Sequence, residues 1–204
     1  MKQKKKPSIG HNKKTFLKNP VEHIDIKSFD ARRIIDSMGK MSFTSRDTAN
    51  AAKIYNEMLT DKDCAIFLTI AGSTSAAGCM NLYSDLIKYN MVDAIVATGA
   101  SIIDMDFFEA LGFKHYQGSQ FQDDTVLRAN YIDRIYDTYI NEDELQACDK
   151  IIFDIANTLE HRSYTSREFI KEIGKYLKKN AKKKNSLIEM AYDHNVPIFC
   201  PAFT

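Results

Sequence analysis

Two mainly apolar segments, each followed by small residues, stand out in the hydrophobic pattern of this chain. The first covers residues 64–70, and the second, which includes Asp93, covers residues 92–98. Apolar segments of this length without polar alternation are typical of strands that are buried on both faces of a parallel sheet. After each segment comes a turn of small residues, and then apolar residues at helical spacing, at 76–88 and at 104–111, with Gly112 as a C-cap. The pattern therefore predicts two consecutive units of strand, turn and helix.

Further helices and a third strand are predicted around these two units. Residues 196–199 form the predicted third strand. Strands that alternate with helices and are joined by right-handed crossovers define an α/β fold. We therefore expect a doubly wound, mainly parallel sheet of Rossmann-like type with helical insertions. The other predicted helices cover residues 29–41, 45–59, 125–159 with a break at 141–144, 166–177 with Ser166 as N-cap, and 186–194.

The chain ends in an apolar segment between Pro197 and Pro201. This segment predicts a strand that runs directly into a turn. In open α/β sheets, ligands bind in the loops after the carboxyl ends of the strands. We therefore expect a sheet that is incomplete at its C-terminal end, where a binding site begins.

Composition and charge limit the class of protein. With 204 residues, of which 44% are hydrophobic, the chain suits one globular domain. Its basic start, residues 1–28, is interpreted as a solvated arm, and residues 29–204 as part of a single domain. A formal net charge of +1 gives no general attraction to nucleic acid or to an anionic membrane, so neither is an expected partner.

The sequence also indicates where the protein is located and whether it binds a metal. No apolar segment approaches the ~18 residues of a membrane span, and no apolar stretch follows the basic start as in a signal peptide. We therefore expect a cytoplasmic protein. The four cysteines are widely separated and lack the spacing of a metal site, so we expect reduced thiols and no bound metal.

The turns after the two predicted strands are the candidate binding elements. Small residues let backbone N–H groups approach a phosphate, and the dipole of the following helix favours negative charge there. Neither turn matches a phosphate-binding fingerprint, and a tight strand-to-helix turn needs small residues for steric reasons alone. Nucleotide binding and turn sterics are therefore both open. The candidate residues are Gly72, Ser73, Thr74, Ser75 and Ala76 in the first turn, and Thr98, Gly99 and Ala100 in the second.

Two carboxylates, Asp104 and Asp106, lie at the start of the helix after the second turn. Carboxylates at a helix start interact favourably with the helix dipole, which accounts for both residues without a ligand. Alternatively, they face the crevice between the turns and bind a ribose hydroxyl or a polyamine cation. The spacing alone leaves both interpretations open.

The order and spacing of several segments resemble the deoxyhypusine synthase family over most of the chain after about residue 25. The segments at 66–78, 90–96 and 195–204 carry the resemblance. Residues 106–118 and 132–137 are more similar to the bacterial deoxyhypusine-synthase-like branch than to the eukaryotic enzymes. The chain thus resembles the N-terminal portion of such a protein.

The resemblance implies an NAD-dependent transferase that moves the aminobutyl group of spermidine, or of a related polyamine, to an acceptor amine. The acceptor is a protein lysine in deoxyhypusine synthases and putrescine in homospermidine synthases, and the sequence does not distinguish the two. By position, the residues of both turns and Asp104 would contact NAD, and Asp104 would also contact the polyamine. The family passes the group through an imine on a lysine that corresponds to a position beyond Thr204, so no catalytic residue is assigned here.

Two departures from the family pattern affect these expectations. Residues 71–73 read Ala-Gly-Ser where the family has Thr-Ser-Asn, and Met105 replaces the second of two glutamates. The missing carboxylate weakens the case for unaltered spermidine recognition, because a buried ammonium needs a paired negative charge. It does not argue against NAD. The lysines at 182–184 are expected to be solvated and not to replace the missing catalytic lysine.

Three hypotheses follow for the function of the chain. The leading one is a truncated or split transferase that has no turnover alone. The second is a non-catalytic partner that regulates a complete homologue, which suits the family's homotetramers with sites at subunit interfaces. Both predict a homo-oligomer or a complex with a complete homologue. The third is a stand-alone NAD-binding module, which would be a monomer that binds NAD without polyamine.

Overall fold

The computed structural model describes residues 12–201, which form eight α-helices and two small sheets. Residues 1–11, the first part of the basic arm, and residues 202–204 lie outside the described part of the chain. Among the described residues, no helix is both long enough and apolar enough to cross a membrane. The helices are α1 (Arg32–Met38), α2 (Thr44–Thr60), α3 (Met80–Lys88), α4 (Phe108–Ala110), α5 (Asp124–Ala129), α6 (Glu142–Asn157), α7 (Ser166–Asn180) and α8 (Leu187–His194). The strands are β1 (Phe67–Ile70), β2 (Ala94–Ala97), β3 (Tyr116–Gln117), β4 (Ile132–Ile135), β5 (Thr138–Asn141) and β6 (Ile198–Phe199).

The three predicted apolar strands form one parallel sheet in the order β1-β2-β6. The central strand is the most buried: Ile95 of β2 is fully buried, and Leu68 and Ile198 lie level with it on either side. Helix α3 comes between β1 and β2 along the chain, and α8, which packs on α3, comes directly before β6. The α/β class and the parallel pairing of the strands are therefore confirmed.

One face of the parallel sheet is only partly covered. Side chains alternate between faces along a strand, so Phe67 shares one face with Thr69 and, across the sheet, with Val96 and Phe199. Phe67 is 61% exposed and Phe199 is 37% exposed, whereas Ile198 on the opposite face is 2% exposed. Parallel sheets are normally buried on both faces. The described part of the chain thus supplies cover for one face and little for the other.

The prediction of helix from residue 125 to the break at 141–144 was wrong beyond α5, because a second, antiparallel sheet lies there. Its order is β3-β5-β4, and Ile135 pairs with Thr138 across a two-residue turn. Tyr131 and Tyr136 have left-handed backbone, with φ of 55° and 54°, which ends α5 early and turns the chain into the hairpin. Leu127, Ile132 and Tyr139 bury their side chains together as a small second core.

Helix termini agree with the predictions in two places and differ in a third. Asn141 caps α6 by accepting a hydrogen bond from the N–H of Asp143 at 3.2 Å, within the predicted break. Gly112 follows α4 with a left-handed φ of 93°, as expected of a C-cap. The predicted cap Ser166 is instead the first helical residue of α7, because Thr165 and Glu168 form a capping box.

The contact between α7 and α8 depends on Gly174. A Cβ atom at this position would lie 2.6 Å from Cβ of Tyr192 and 3.1 Å from the carbonyl oxygen of Ile188. We expect Gly174→Ala to lower the free energy of unfolding by about 2 kcal/mol, because overpacking outweighs the gain in helix propensity. Urea denaturation measures this change.

Gly39→Ala is the matched control for this prediction. Gly39 has a φ of −61°, and its Cβ would meet only ordinary contacts, the nearest at 3.4 Å. This variant should change stability by less than about 0.5 kcal/mol. If the two variants were equally stable, the α7–α8 contact would accommodate the added methyl group without a measurable loss in the free energy of unfolding.

The described part of the basic arm contacts the rest of the chain. We call residues 19–27 the N-terminal strap. Lys27 Nζ donates to Asp85 on α3 at 2.6 Å, and the side chain of His23 is only 7% exposed. The strap is therefore attached to the rest of the chain, although most of its residues remain exposed, as expected of a solvated arm.

Candidate functional site

The two predicted turns lie side by side at the carboxyl end of the parallel sheet. Ser101 joins them, because its hydroxyl donates to the carbonyl oxygen of Gly72 at 2.9 Å. The same hydroxyl lies 3.0 Å from the hydroxyl of Thr98, which ends the second strand segment. Adjacent parallel strands thus bring both turns to one edge, as the sequence indicated. Ser101 was not among the predicted site residues, although its small polar side chain at the second turn was the available signal.

The first turn is open above Gly72. This residue is exposed, has a left-handed φ of 72°, and would have no atom within 4 Å of an added Cβ. Among the residues that the structure describes, none accepts a hydrogen bond from the N–H groups of Gly72, Ser73 or Thr74. Three successive donors therefore remain available to a ligand at the edge of the sheet.

Both turns continue as wide, π-helical segments and not directly as α-helix. The first covers Ser75–Cys79 and the second Ala100–Phe107. In the first, the N–H of Cys79 donates to the carbonyl oxygen of Thr74 at 3.1 Å, and Gly78 adopts a φ of 101° that breaks the helical path. Helix α3 therefore begins at Met80, later than predicted.

Ser75 is the most unusual residue of the first turn. It is 1% exposed, and its hydroxyl has no hydrogen-bond partner among the described residues. A buried hydroxyl without a partner costs free energy unless a ligand or water satisfies it. Nearby, Thr74 receives a hydrogen bond from the hydroxyl of Tyr83 at 2.6 Å. Free N–H groups and an unsatisfied hydroxyl fit an anionic, phosphate-bearing group.

Asp104 and Asp106 have different surroundings. Asp106 is fully buried and accepts hydrogen bonds from the N–H groups of Leu187 and Ile188 at 2.7 and 2.9 Å, so it caps α8. Burial raises the pKa of Asp106 to about 6, although these hydrogen bonds oppose the shift. The sequence left open whether Asp106 stabilises a helix or faces the crevice and binds a ligand. The structure shows helix stabilisation, but the helix is α8 and not the one that contains Asp106.

Asp104 is half-buried and faces α6. Burial raises its pKa, and the neighbouring carboxylate of Asp149 on α6 adds to this shift. No Lys or Arg of the described chain forms an ion pair with Asp104. Nothing in the sequence pattern indicated Asp149 as its neighbour.

A buried charged cluster lies behind the second turn and was not predicted. Glu109, 4% exposed, receives hydrogen bonds of 2.6 Å from His23, His115 and Lys183. Burial opposes the charged form of Glu109, but these three hydrogen bonds outweigh it and lower its pKa to about 2. The available signal was a glutamate inside the apolar segment 107–111.

Of the three lysines at 182–184, Lys182 and Lys184 are exposed, as expected, and Lys183 is partly buried, but all three contact the rest of the chain. Lys182 packs its aliphatic side chain against Gly112, where an added Cβ would lie 2.9 Å from Lys182 Cδ. Lys183 binds Glu109, and Lys184 Nζ lies 3.3 Å from the buried carboxylate of Glu189.

Comparisons with known proteins agree on one family. The family model described as deoxyhypusine synthase matches residues 33–204. The chain is 65% identical over 198 residues to the deoxyhypusine synthase-like protein of Coxiella burnetii. This match covers 97% of this chain and 56% of the relative. It is 37% identical to the probable deoxyhypusine synthase 2 of Methanosarcina acetivorans, covering 96% of this chain and 56% of that protein.

A solved structure shows the same fold. The putative deoxyhypusine synthase from Entamoeba histolytica superposes with a TM-score of 0.60 at 18% identity, over 89% of this chain and 62% of that one. The fold is thus that of a deoxyhypusine-synthase-like α/β domain. The chain belongs to the deoxyhypusine synthase family, and it spans about half the length of the curated relatives it matches.

Proposed function

We propose that this chain is the NAD-binding portion of a deoxyhypusine-synthase-like transferase. The reaction would move the aminobutyl group of spermidine, or of a related polyamine, to an acceptor amine, either a protein lysine or putrescine. The observation that carries the proposal is the pair of small-residue turns, joined by Ser101 at the edge of two adjacent parallel strands, with open space above Gly72.

The first turn would hold the diphosphate of the dinucleotide. The free N–H groups of Gly72, Ser73 and Thr74 would donate to phosphate oxygens, and the unsatisfied hydroxyl of Ser75 would supply a further donor. Ala76 keeps the turn compact. When bound, NAD would supply the hydride acceptor for oxidation of the polyamine. The second turn would form the opposite wall through Thr98, Gly99 and Ala100.

Asp104 is the proposed contact for an ammonium group of the polyamine. Its carboxylate is half-buried beside Asp149 and lacks a cationic partner among the described side chains. A polyamine ammonium would provide the missing positive charge and lower the pKa of Asp104 again. In this assignment a single aspartate, with Met105 beside it, replaces two glutamates.

The partly covered face of the sheet supports the proposal that further polypeptide completes the site. Phe67 and Phe199 are exposed on this face, and the curated relatives are nearly twice as long as the matched region. We propose that the remaining portion of a family member covers this face and gives the doubly wound sheet. It would also bring the imine-forming lysine, so the 204-residue chain alone would show no turnover.

Reconstitution tests this proposal. The chain would be co-expressed with the part of the Coxiella burnetii relative that follows the matched region, then incubated with NAD and spermidine labelled in its aminobutyl group. We expect transfer of label to putrescine or to a lysine-bearing acceptor protein with both pieces, and none with either alone. A stable complex that binds NAD but transfers no label would instead indicate a non-catalytic partner.

A further inference from the structure

The N-terminal strap connects two parts of the molecule that are distant in sequence. On one side it pairs with β3: the N–H of Gln117 donates to the carbonyl oxygen of Asn19 at 2.7 Å, and the N–H of Val21 donates to that of His115 at 2.8 Å. The strap precedes residues 33–204, the region that the family model matches. The contacts of the strap itself indicate its role.

On its other side the strap lies directly on the π-helical segment Ser75–Cys79, which continues the first turn. The N–H of Ile24 donates to the carbonyl oxygen of Gly78 at 3.0 Å. The N–H of Met80, the first residue of α3, donates to Nδ1 of His23 at 3.2 Å. The approach is close, because a Cβ on Gly78 would lie only 2.7 Å from the carbonyl oxygen of Glu22.

The second nitrogen of His23 is anchored to the element that follows the second turn. Its Nε2 lies 2.6 Å from the buried Oε2 of Glu109 on α4. Because Nδ1 accepts a hydrogen bond from Met80, the neutral ring carries its proton on Nε2 and donates it to Glu109. One imidazole thus links the end of the first turn to the helix that follows the second.

We propose that His23 is a positioning residue, which holds the first turn of the NAD site in place by bridging the N–H of Met80 and the carboxylate of Glu109. The inference rests on the proposed function for its link to NAD. The strap's effect on the turn itself can be measured without any ligand.

The bridge depends on Nδ1 of His23 as an acceptor, because this atom receives the N–H of Met80. Its other end is fixed by the carboxylate of Glu109, which is also bound by His115 and Lys183. Removal of the imidazole should therefore loosen the segment that continues the first turn and leave Glu109 with its other two donors.

Hydrogen exchange of residues 74–80, followed by mass spectrometry at pH 7, tests the proposal. We expect His23→Ala to accelerate exchange in this segment about two- to tenfold, the value of one hydrogen bond. His161→Ala, at an exposed histidine, is the matched control and should leave exchange in this segment unchanged.

His23→Asn tests the acceptor itself. The amide oxygen of asparagine can accept from the N–H of Met80, so exchange of residues 74–80 should stay closer to the wild-type rate than in His23→Ala. Unchanged exchange in His23→Ala would overturn the proposal. If His23→Ala does not fold, His23→Asn and His23→Leu are compared instead, and equal exchange in these two variants would overturn it.

The link to NAD has its own readout. In the reconstituted two-piece protein, His23→Ala should weaken NAD binding by the same two- to tenfold factor, and His161→Ala should not. Failure of the wild-type complex to bind NAD would refute the proposed function, while the exchange result would still stand for the strap. Faster exchange with unaltered NAD affinity would overturn the positioning role in NAD binding.

Discussion

Asp106→Ala is expected to lower the free energy of unfolding by about 3 kcal/mol at pH 7. The carboxylate is fully buried and accepts the N–H groups of Leu187 and Ile188 at the start of α8. Alanine would leave two buried donors unsatisfied, at about 1–3 kcal/mol each, offset in part because the buried carboxyl is itself costly. Urea denaturation followed by circular dichroism measures the loss.

Asp106→Asn is the matched control for this prediction. Asparagine has nearly the same volume and keeps one acceptor oxygen for the start of α8. We expect it to lose clearly less stability than alanine does. If both variants were as stable as the wild type, Asp106 would not act as the cap of α8, and a role at the candidate site would again be open.

Glu109→Gln is expected to destabilise the chain by about 3 kcal/mol at pH 7, because it removes the charge that His23, His115 and Lys183 share. Burial opposes this charge, yet the hydrogen bonds hold the pKa of Glu109 at about 2. A pKa below the unfolded value of about 4.3 stabilises the fold above that pH, and the contribution is lost as pH falls towards 2.

Unfolding measured between pH 7 and pH 3 checks the sign of this effect. The stability difference between wild type and Glu109→Gln should shrink as the pH falls. Glu57→Gln removes an exposed carboxylate on α2 that lies 3.9 Å from Lys53, and it should cost less than about 0.5 kcal/mol throughout. A difference for Glu109→Gln that stays constant with pH would show that its charge does not stabilise the fold.

The parallel sheet could be predicted because its signal is local. The strands around Leu68 and Ile95 are continuous apolar segments followed by small residues, and such segments are typical of strands buried on both faces. The hairpin could not be predicted, because Ile132 and Ile135 are three residues apart, a spacing typical of one face of a helix and not of one face of a strand. The left-handed residues that end α5 and form the hairpin turn are tyrosines, a residue type that does not indicate a turn.

The candidate site divides in the same way. Its small residues indicated the turns, but the polar contacts around the turns join residues that are far apart in sequence. Asp106 finds its partners in Leu187 and Ile188 about 80 residues later, and His23 finds Glu109 after an interval of 86 residues. Contacts between residues so far apart produce no periodic pattern in the sequence. The lysine-rich N-terminal segment therefore gave no sign that His23 contacts Glu109.

NAD protection of the two turns is the most direct test of the central claim, that they form the dinucleotide site. Hydrogen exchange of segments 71–79 and 98–103 would be compared with and without saturating NAD in the reconstituted two-piece protein. We predict slower exchange in both segments, since N–H groups such as those of Gly72 and Ser73 would donate to the bound diphosphate. Bound NAD that protects other segments and leaves both turns unchanged would contradict the account.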